Sequence, residues 1–254
     1  MSVLSRHSLV AMCLLLGTLP AMAVDNGLEQ LPFVKKMQLA KAGDPDAKMA
    51  VAEALEMGND TKANPALAAK WYREAALTGN YEAQFRLAKL VYKGEPGLKA
   101  DKPTAIKLLE SAAKHGHAPS ENLFGQMLQN GDGMTKDEKA AVDWYKKAAD
   151  QKLAVAQNNL GVMLLKGLGT DRNLDEAFKM FEQAASGDDG WAMNNLGGMY
   201  EMGWGTKKDL DKAKLFYQKA ADKGIAISNK NLLRLASLAS TSAPASPTPV
   251  PPKP

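Results

Sequence analysis

The apolar positions of this chain recur with a fixed period. Alanine pairs stand at Ala75-Ala76, Ala112-Ala113, Ala148-Ala149, Ala184-Ala185 and Ala220-Ala221, spaced by 37 residues once and by 36 thereafter. A large apolar pair lies four residues ahead of each: Trp71-Tyr72, Leu108-Leu109, Trp144-Tyr145, Met180-Phe181 and Phe216-Tyr217. Three residues before each of these comes another alanine, at Ala68, Ala105, Ala141, Ala177 and Ala213, so large and small side chains share one helical stripe. A second series precedes the first. Val51, Leu87, Phe124, Leu160 and Leu196 are each followed by a small residue (Ala52, Ala88, Gly125, Gly161, Gly197) and, four places on, by Leu55, Val91, Leu128, Leu164 or Tyr200. Each period therefore predicts two amphipathic helices.

The punctuation between them agrees. Gly58, Gly94, Gly131, Gly167 and Gly203 end the first helix of each pair, where a left-handed residue closes the last turn. Asn64, Asp101, Asp137, Asn173 and Asp209 follow as N-caps of the second helix, each contributing roughly 0.5–2 kcal/mol. Neither helix can bury its apolar stripe alone, so successive pairs must stack. The predicted units run from 47 to 82, 83 to 119, 120 to 155, 156 to 191 and 192 to 227. Residues 24 to 46 are read as a linker and an N-terminal capping helix (29 to 42), residues 228 to 239 as a closing helix, and 240 to 254 as a proline-rich disordered tail.

Composition adds an address. A basic start at Arg6 and His7, an apolar run from Leu9 to Leu19 and the closing Ala21-Met22-Ala23 predict a cleavable export signal over residues 1 to 23 and a periplasmic mature protein. The run falls short of the about 20 apolar residues a membrane span needs. Cys13 is the single cysteine and lies inside it, so the mature chain has no thiol for a disulfide, a nucleophile or a metal site. The net charge is +4 and its charges are interspersed. That field is too weak for nucleic acid, where a specific interface neutralises roughly 6–10 phosphates.

Units four and five, AQNNLGVMLLKGLGTDRNLDEAFKMFEQAA and AMNNLGGMYEMGWGTKKDLDKAKLFYQKAA, reproduce almost throughout an A-x-x-x-L-G-x-x-Y, G-x-G and D-x-x-K-A-x-x-[WF]-Y-x-K-A-A pattern. In it the chain resembles the Sel1-like repeat family, a relative of the tetratricopeptide helix pairs. The resemblance implies an all-α, right-handed solenoid of five helix-turn-helix repeats with an N-terminal half-repeat and a C-terminal capping helix. Units one and two depart from the pattern, since Gly58 and Gly94 lack a second glycine two residues on. The resemblance also implies stoichiometric protein binding, as an envelope adaptor, a sensor inhibitor or an immunity protein against a toxin delivered into the periplasm. An enzymatic or β-lactam-binding role is the alternative, and the cysteine-rich branch of the family that would carry it has disulfides absent here.

Nothing in the sequence composes a catalytic constellation, a metal site or a cofactor site. His115 and His117 lack the spacing and the carboxylates of a metal centre. The glycine pairs follow helices instead of strands, which excludes a phosphate loop. A monomeric binding module with its partner on the concave, first-helix face is the expected function. By analogy with tetratricopeptide repeats, the third, seventh and tenth positions of each first helix line that face: Met49, Glu53 and Glu56; Phe85, Lys89 and Tyr92; Asn122, Gln126 and Gln129; Asn158, Val162 and Leu165; Asn194, Gly198 and Glu201. Asn158 and Asn194 could serve a partner or satisfy neighbouring helices. Trp204, between two glycines in the turn of unit five, could anchor a partner or fold back on its own repeat, whereas Trp71 and Trp144 read as core.

Overall fold

The computed structural model describes residues 27–241. The predicted export signal and all but the first two residues of the predicted tail lie outside them. A short 3-10 turn, Leu28–Gln30, leads into twelve α-helices: α1 (Phe33–Lys41), α2 (Pro45–Met57), α3 (Pro65–Ala76), α4 (Tyr81–Lys93), α5 (Lys102–Lys114), α6 (Ala118–Asn130), α7 (Glu138–Asp150), α8 (Ala154–Lys166), α9 (Leu174–Ser186), α10 (Gly190–Met202), α11 (Leu210–Asp222) and α12 (Ala226–Thr241). There is no strand among the described residues, and every extensive helix–helix contact joins helices adjacent in the chain. That is the connectivity of a solenoid.

All five predicted N-caps form. The side chains of Asn64, Asp101, Asp137, Asn173 and Asp209 accept from the backbone N–H three residues on, at 2.9–3.1 Å. The small residues of the first helices have a steric purpose. A Cβ on Gly125, Gly161 or Gly197 would stand 3.0, 2.7 or 2.6 Å from the ring of Tyr145, Phe181 or Tyr217, the second aromatic of the same unit. The ring packs where that Cβ would stand, and all three rings are buried. Ala52 and Ala88, also buried, hold the same position in units one and two.

Four features differ from the reading of the sequence. The N-terminal capping helix opens at Phe33 instead of residue 29, and the closing helix runs from Ala226 to Thr241, two residues into the predicted disordered tail. Each first helix starts two residues ahead of its predicted unit, at Pro45, Tyr81, Ala118, Ala154 and Gly190. Unit two turns differently: Gly94 is extended in ψ (145°), and residues 95 to 98 close a tight turn through paired backbone bonds between Glu95 and Leu98. The loop of unit two is one residue longer than the others, seven residues from Gly94 to Asp101 against six. Unit one, which also lacks the second glycine, keeps the common turn with Asp60 at a φ of 59°. At Gly205 φ is positive and a Cβ would overlap the carbonyl of Leu174, so there the turn presses against the preceding repeat.

The last helix is a first-type helix without a second. Asn231 Nδ2 donates to Asn194 Oδ1 at 3.1 Å, and one repeat earlier Asn195 donates to Asn158 at 2.9 Å. One more repeat back, Asn159 donates to Asn122 at 2.8 Å. These three bonds join successive first helices.

Candidate functional site

The first-helix face carries two hollows. The larger, of about 480 Å³, lies between α4 and α6. Lys89 and Tyr92 line it from α4, Gln126 and Gln129 from α6, and Asn159 closes it from α8, over a floor of Leu109, Leu123 and Met127. The smaller, of about 290 Å³, lies over α10. Leu165, Asn194, Gly198, Glu201 and Trp204 line it with Asn195, Met202 and Arg234. The helical spacing thus brings four predicted residues into one groove and five into another.

Other predicted positions are engaged inside the protein. Asn122 and Asn158 are buried, and their amide oxygens accept from the next repeat, which is the interhelical alternative left open for Asn158. Asn194 Oδ1 accepts from Ser228 and Asn231. Phe85 is half-buried 5.5 Å from the His117 ring, with Lys89 Nζ 5.4 Å from its own ring centre. Met49 packs against the N-terminal core. Trp204 folds back against the core of units three to five, its ring centre 5.7 Å from the Arg172 guanidinium, and one edge remains in the smaller hollow.

A further regularity couples the two helices of units one, three and five. Tyr72, Tyr145 and Tyr217 donate their hydroxyls to Glu56, Gln129 and Glu201 at 2.5, 2.7 and 2.8 Å. In unit four the ring is Phe181 and the matching tenth position is Leu165, so where the hydroxyl is missing the acceptor is missing too. Burial and the adjacent carboxylate push the Tyr72 and Tyr217 hydroxyls well above the usual phenol range. Glu201 is also clamped by the two terminal guanidinium nitrogens of Arg234, which hold its carboxyl below the usual range.

The histidines take part in a polar chain through units one to three. His117 Nε2 meets Glu82 Oε2 at 3.1 Å, and its Nδ1 meets Ser120 Oγ at 2.9 Å. Arg86 Nε donates to Glu82 Oε1 at 2.5 Å. The hydrogen bond from His117, with that from Arg86, lowers the Glu82 carboxyl to about 2. Serine, histidine and carboxylate in line suggest a triad, but the geometry argues against one. Ser120 has no exposed surface, so its oxygen cannot reach a substrate. Burial pushes the Glu53 and Glu121 carboxyls up; Glu121 accepts from Gln151 at 2.7 Å.

Reasoning from spacing missed Leu123, Met127 and Asn159 in the larger groove, and Met202 and Arg234 in the smaller. Asn159 was findable, since Asn159, Asn195 and Asn231 form a column at the repeat spacing. A third hollow, of about 550 Å³, lies on the second-helix side around half-buried Trp71, with Lys41, Lys48, Lys70 and Arg73 at its rim. Among the described residues no helix is long and apolar enough to cross a membrane, and no group of three His, Cys, Asp or Glu is placed to hold a metal.

A stack of helix pairs with side chains converging on its first-helix face defines a helical-repeat interaction protein. The Sel1 repeat profile matches residues 45–80, 82–117, 118–153, 154–189 and 192–225, and the chain belongs to the Sel1 repeat family. Among solved structures, a Sel1 repeat protein from Oxalobacter formigenes is 25% identical with a TM-score of 0.72 over 85% of this chain and 92% of that one. The protective antigen c5321 of uropathogenic Escherichia coli is 25% identical with a TM-score of 0.63; 84% of this chain spans 53% of that one. Immunity protein Pa5087 from Pseudomonas aeruginosa is 23% identical with a TM-score of 0.51 over 73% of this chain and 68% of that one, a likeness of fold alone. No curated protein sequence matches the chain.

Proposed function

We propose that this chain is a non-catalytic periplasmic module that binds one protein partner on the first-helix face, centred on the groove between α4 and α6. The observation that supports this is a division of labour along that face. Asn122, Asn158 and Glu201 are spent on internal bonds and Gln129 accepts from Tyr145, whereas Lys89, Tyr92 and Gln126 converge over the apolar floor of Leu123 and Met127. An apolar floor with a polar, sparsely charged rim is the chemistry of a protein interface. The buried Ser120 supports the non-catalytic half of the reading.

The test is capture from periplasmic extract on the immobilised mature chain, with Lys89→Glu/Gln126→Arg as the comparison. The expected result is a single partner at unit stoichiometry, retained roughly 30-fold less by the variant. A toxin encoded beside this chain makes it an immunity protein, a sensor ectodomain an inhibitor, and an envelope-complex subunit an adaptor. Equal retention by the variant, with release on reversing Lys70 and Arg73, would move the site to the second-helix side.

A further inference from the structure

Gly198 has no packing reason to be glycine. It lies inside α10 with ordinary helical backbone, and a Cβ there would meet only the Tyr217 hydroxyl oxygen, at a comfortable 3.6 Å. Its neighbour Gly197 is different, because a Cβ there would stand 2.6 Å from the Tyr217 ring. The other repeats place Glu53, Lys89, Gln126 and Val162 at the Gly198 position. A glycine inside a helix weakens it relative to alanine, so its presence calls for another explanation. What the absent side chain leaves is the 290 Å³ hollow of the first-helix face.

That volume is just below the about 300–1,000 Å³ of small-molecule sites and suits one large side chain. The walls are the indole of Trp204, the thioether of Met202 and the amide of Asn194, whose oxygen is already engaged by Ser228 and Asn231. Indole and thioether both favour an aromatic ring. The two charged residues of the lining, Glu201 and Arg234, are paired with each other. Next to the hollow the Arg172 guanidinium lies 5.7 Å from the Trp204 ring centre, with its Nε donating to the Leu165 carbonyl, and Lys207 and Lys208 follow Trp204 in its loop; none of the three forms an ion pair among the described residues.

Taking the protein-binding reading as its basis, we infer that the hollow at Gly198 is a socket for one aromatic side chain of the partner, carried on an acidic segment. The ring enters over Gly198 between Met202 and Trp204, and the flanking carboxylates meet Arg172, Lys207 and Lys208. The groove between α4 and α6 takes the rest of the contact.

The probe is a phage-displayed library of random dodecapeptides, panned on the mature chain. Selected peptides are expected to share one aromatic residue with acidic neighbours, and a synthetic copy to bind roughly 30-fold more weakly to Gly198→Leu, which fills the socket. Met202→Ser with Trp204→Ala, which removes the walls, gives the same expectation should Gly198→Leu fold poorly by circular dichroism. Peptides without a shared aromatic, or binding unchanged in both variants, would overturn the socket. If those peptides still fail on Lys89→Glu/Gln126→Arg, the protein-binding reading stands without the socket; if neither set of substitutions matters, both fall. A second copy of this chain is the competing occupant, because its Trp191 is 57% exposed and follows Asp188 and Asp189. Self-association abolished by both Trp191→Ala and Gly198→Leu would identify that occupant and overturn the partner assignment.

Discussion

Gly197 and Gly198 are adjacent in one helix, yet alanine at the two positions should act in opposite directions. Both substitutions gain the same helix propensity, about 0.8–1 kcal/mol. They differ in what the new methyl meets. At 198 it reaches ordinary contact at 3.6 Å, so Gly198→Ala should keep that gain. At 197 it stands 2.6 Å from Tyr217 Cδ1, against the about 3.5–4.0 Å of a favourable carbon contact, so the ring must retreat by about 1 Å. It has little room to do so. Tyr217 is 2% exposed, and its hydroxyl is tied to Glu201 at 2.8 Å. Overpacking of this kind costs about 1–3 kcal/mol. Because propensity cancels, the difference between the two variants isolates that cost. Urea denaturation followed by far-ultraviolet circular dichroism reads it directly, with Gly198→Ala at or above the parent and Gly197→Ala about 1–3 kcal/mol below Gly198→Ala. Equal stability of the two variants would refute the claim that the small residue exists to seat the aromatic ring.

The hydroxyl–acceptor pairing predicts coupling in unit four: Phe181→Tyr alone should be destabilising against Leu165, and adding Leu165→Gln should recover about 1 kcal/mol in a double-mutant cycle. Asp209→Ala should cost roughly 0.5–2 kcal/mol in the same urea titration, since it strands the Lys212 amide that it caps at 2.9 Å. Glu82 titrates lower in the fold, at about 2 against an ordinary 4.5, so its contribution is fully present above pH 4.5 and is lost as pH falls towards 2. Glu82→Gln should therefore flatten the decline in melting temperature over that interval, and an unchanged slope would sink the assignment.

The second helices were legible because each carries its own signals: an Asn or Asp cap, a large apolar pair and an alanine pair in fixed columns. First-helix starts were misplaced by two residues because their N-cap position holds Asp44, Asn80, His117, Leu153 and Asp189, which form no column. In the site, the rule of third, seventh and tenth positions found the face. It could not tell a partner-facing amide from one turned towards the next repeat, because Asn122 looks the same in sequence either way and its partner Asn159 lies 37 residues on. Arg234 escaped notice for a related reason: the closing helix read as an end cap, whereas it takes the register of a sixth first helix and reaches back to Glu201. Gly198 was hidden beside Gly197, and only the space around each separates a glycine that packing requires from one that it does not.

The central claim is that a partner docks on the first-helix face, and site-specific photo-cross-linking in living cells tests it most directly. A benzophenone amino acid placed in turn at Lys89 and Gln126 on that face, and at Lys70 and Lys146 on the second helices, reports which side a partner touches. The account predicts a common adduct from the first two positions, lost when Leu123 is changed to Lys, and none from the second two. Adducts from Lys70 or Lys146, with none from Lys89 and Gln126, would contradict it.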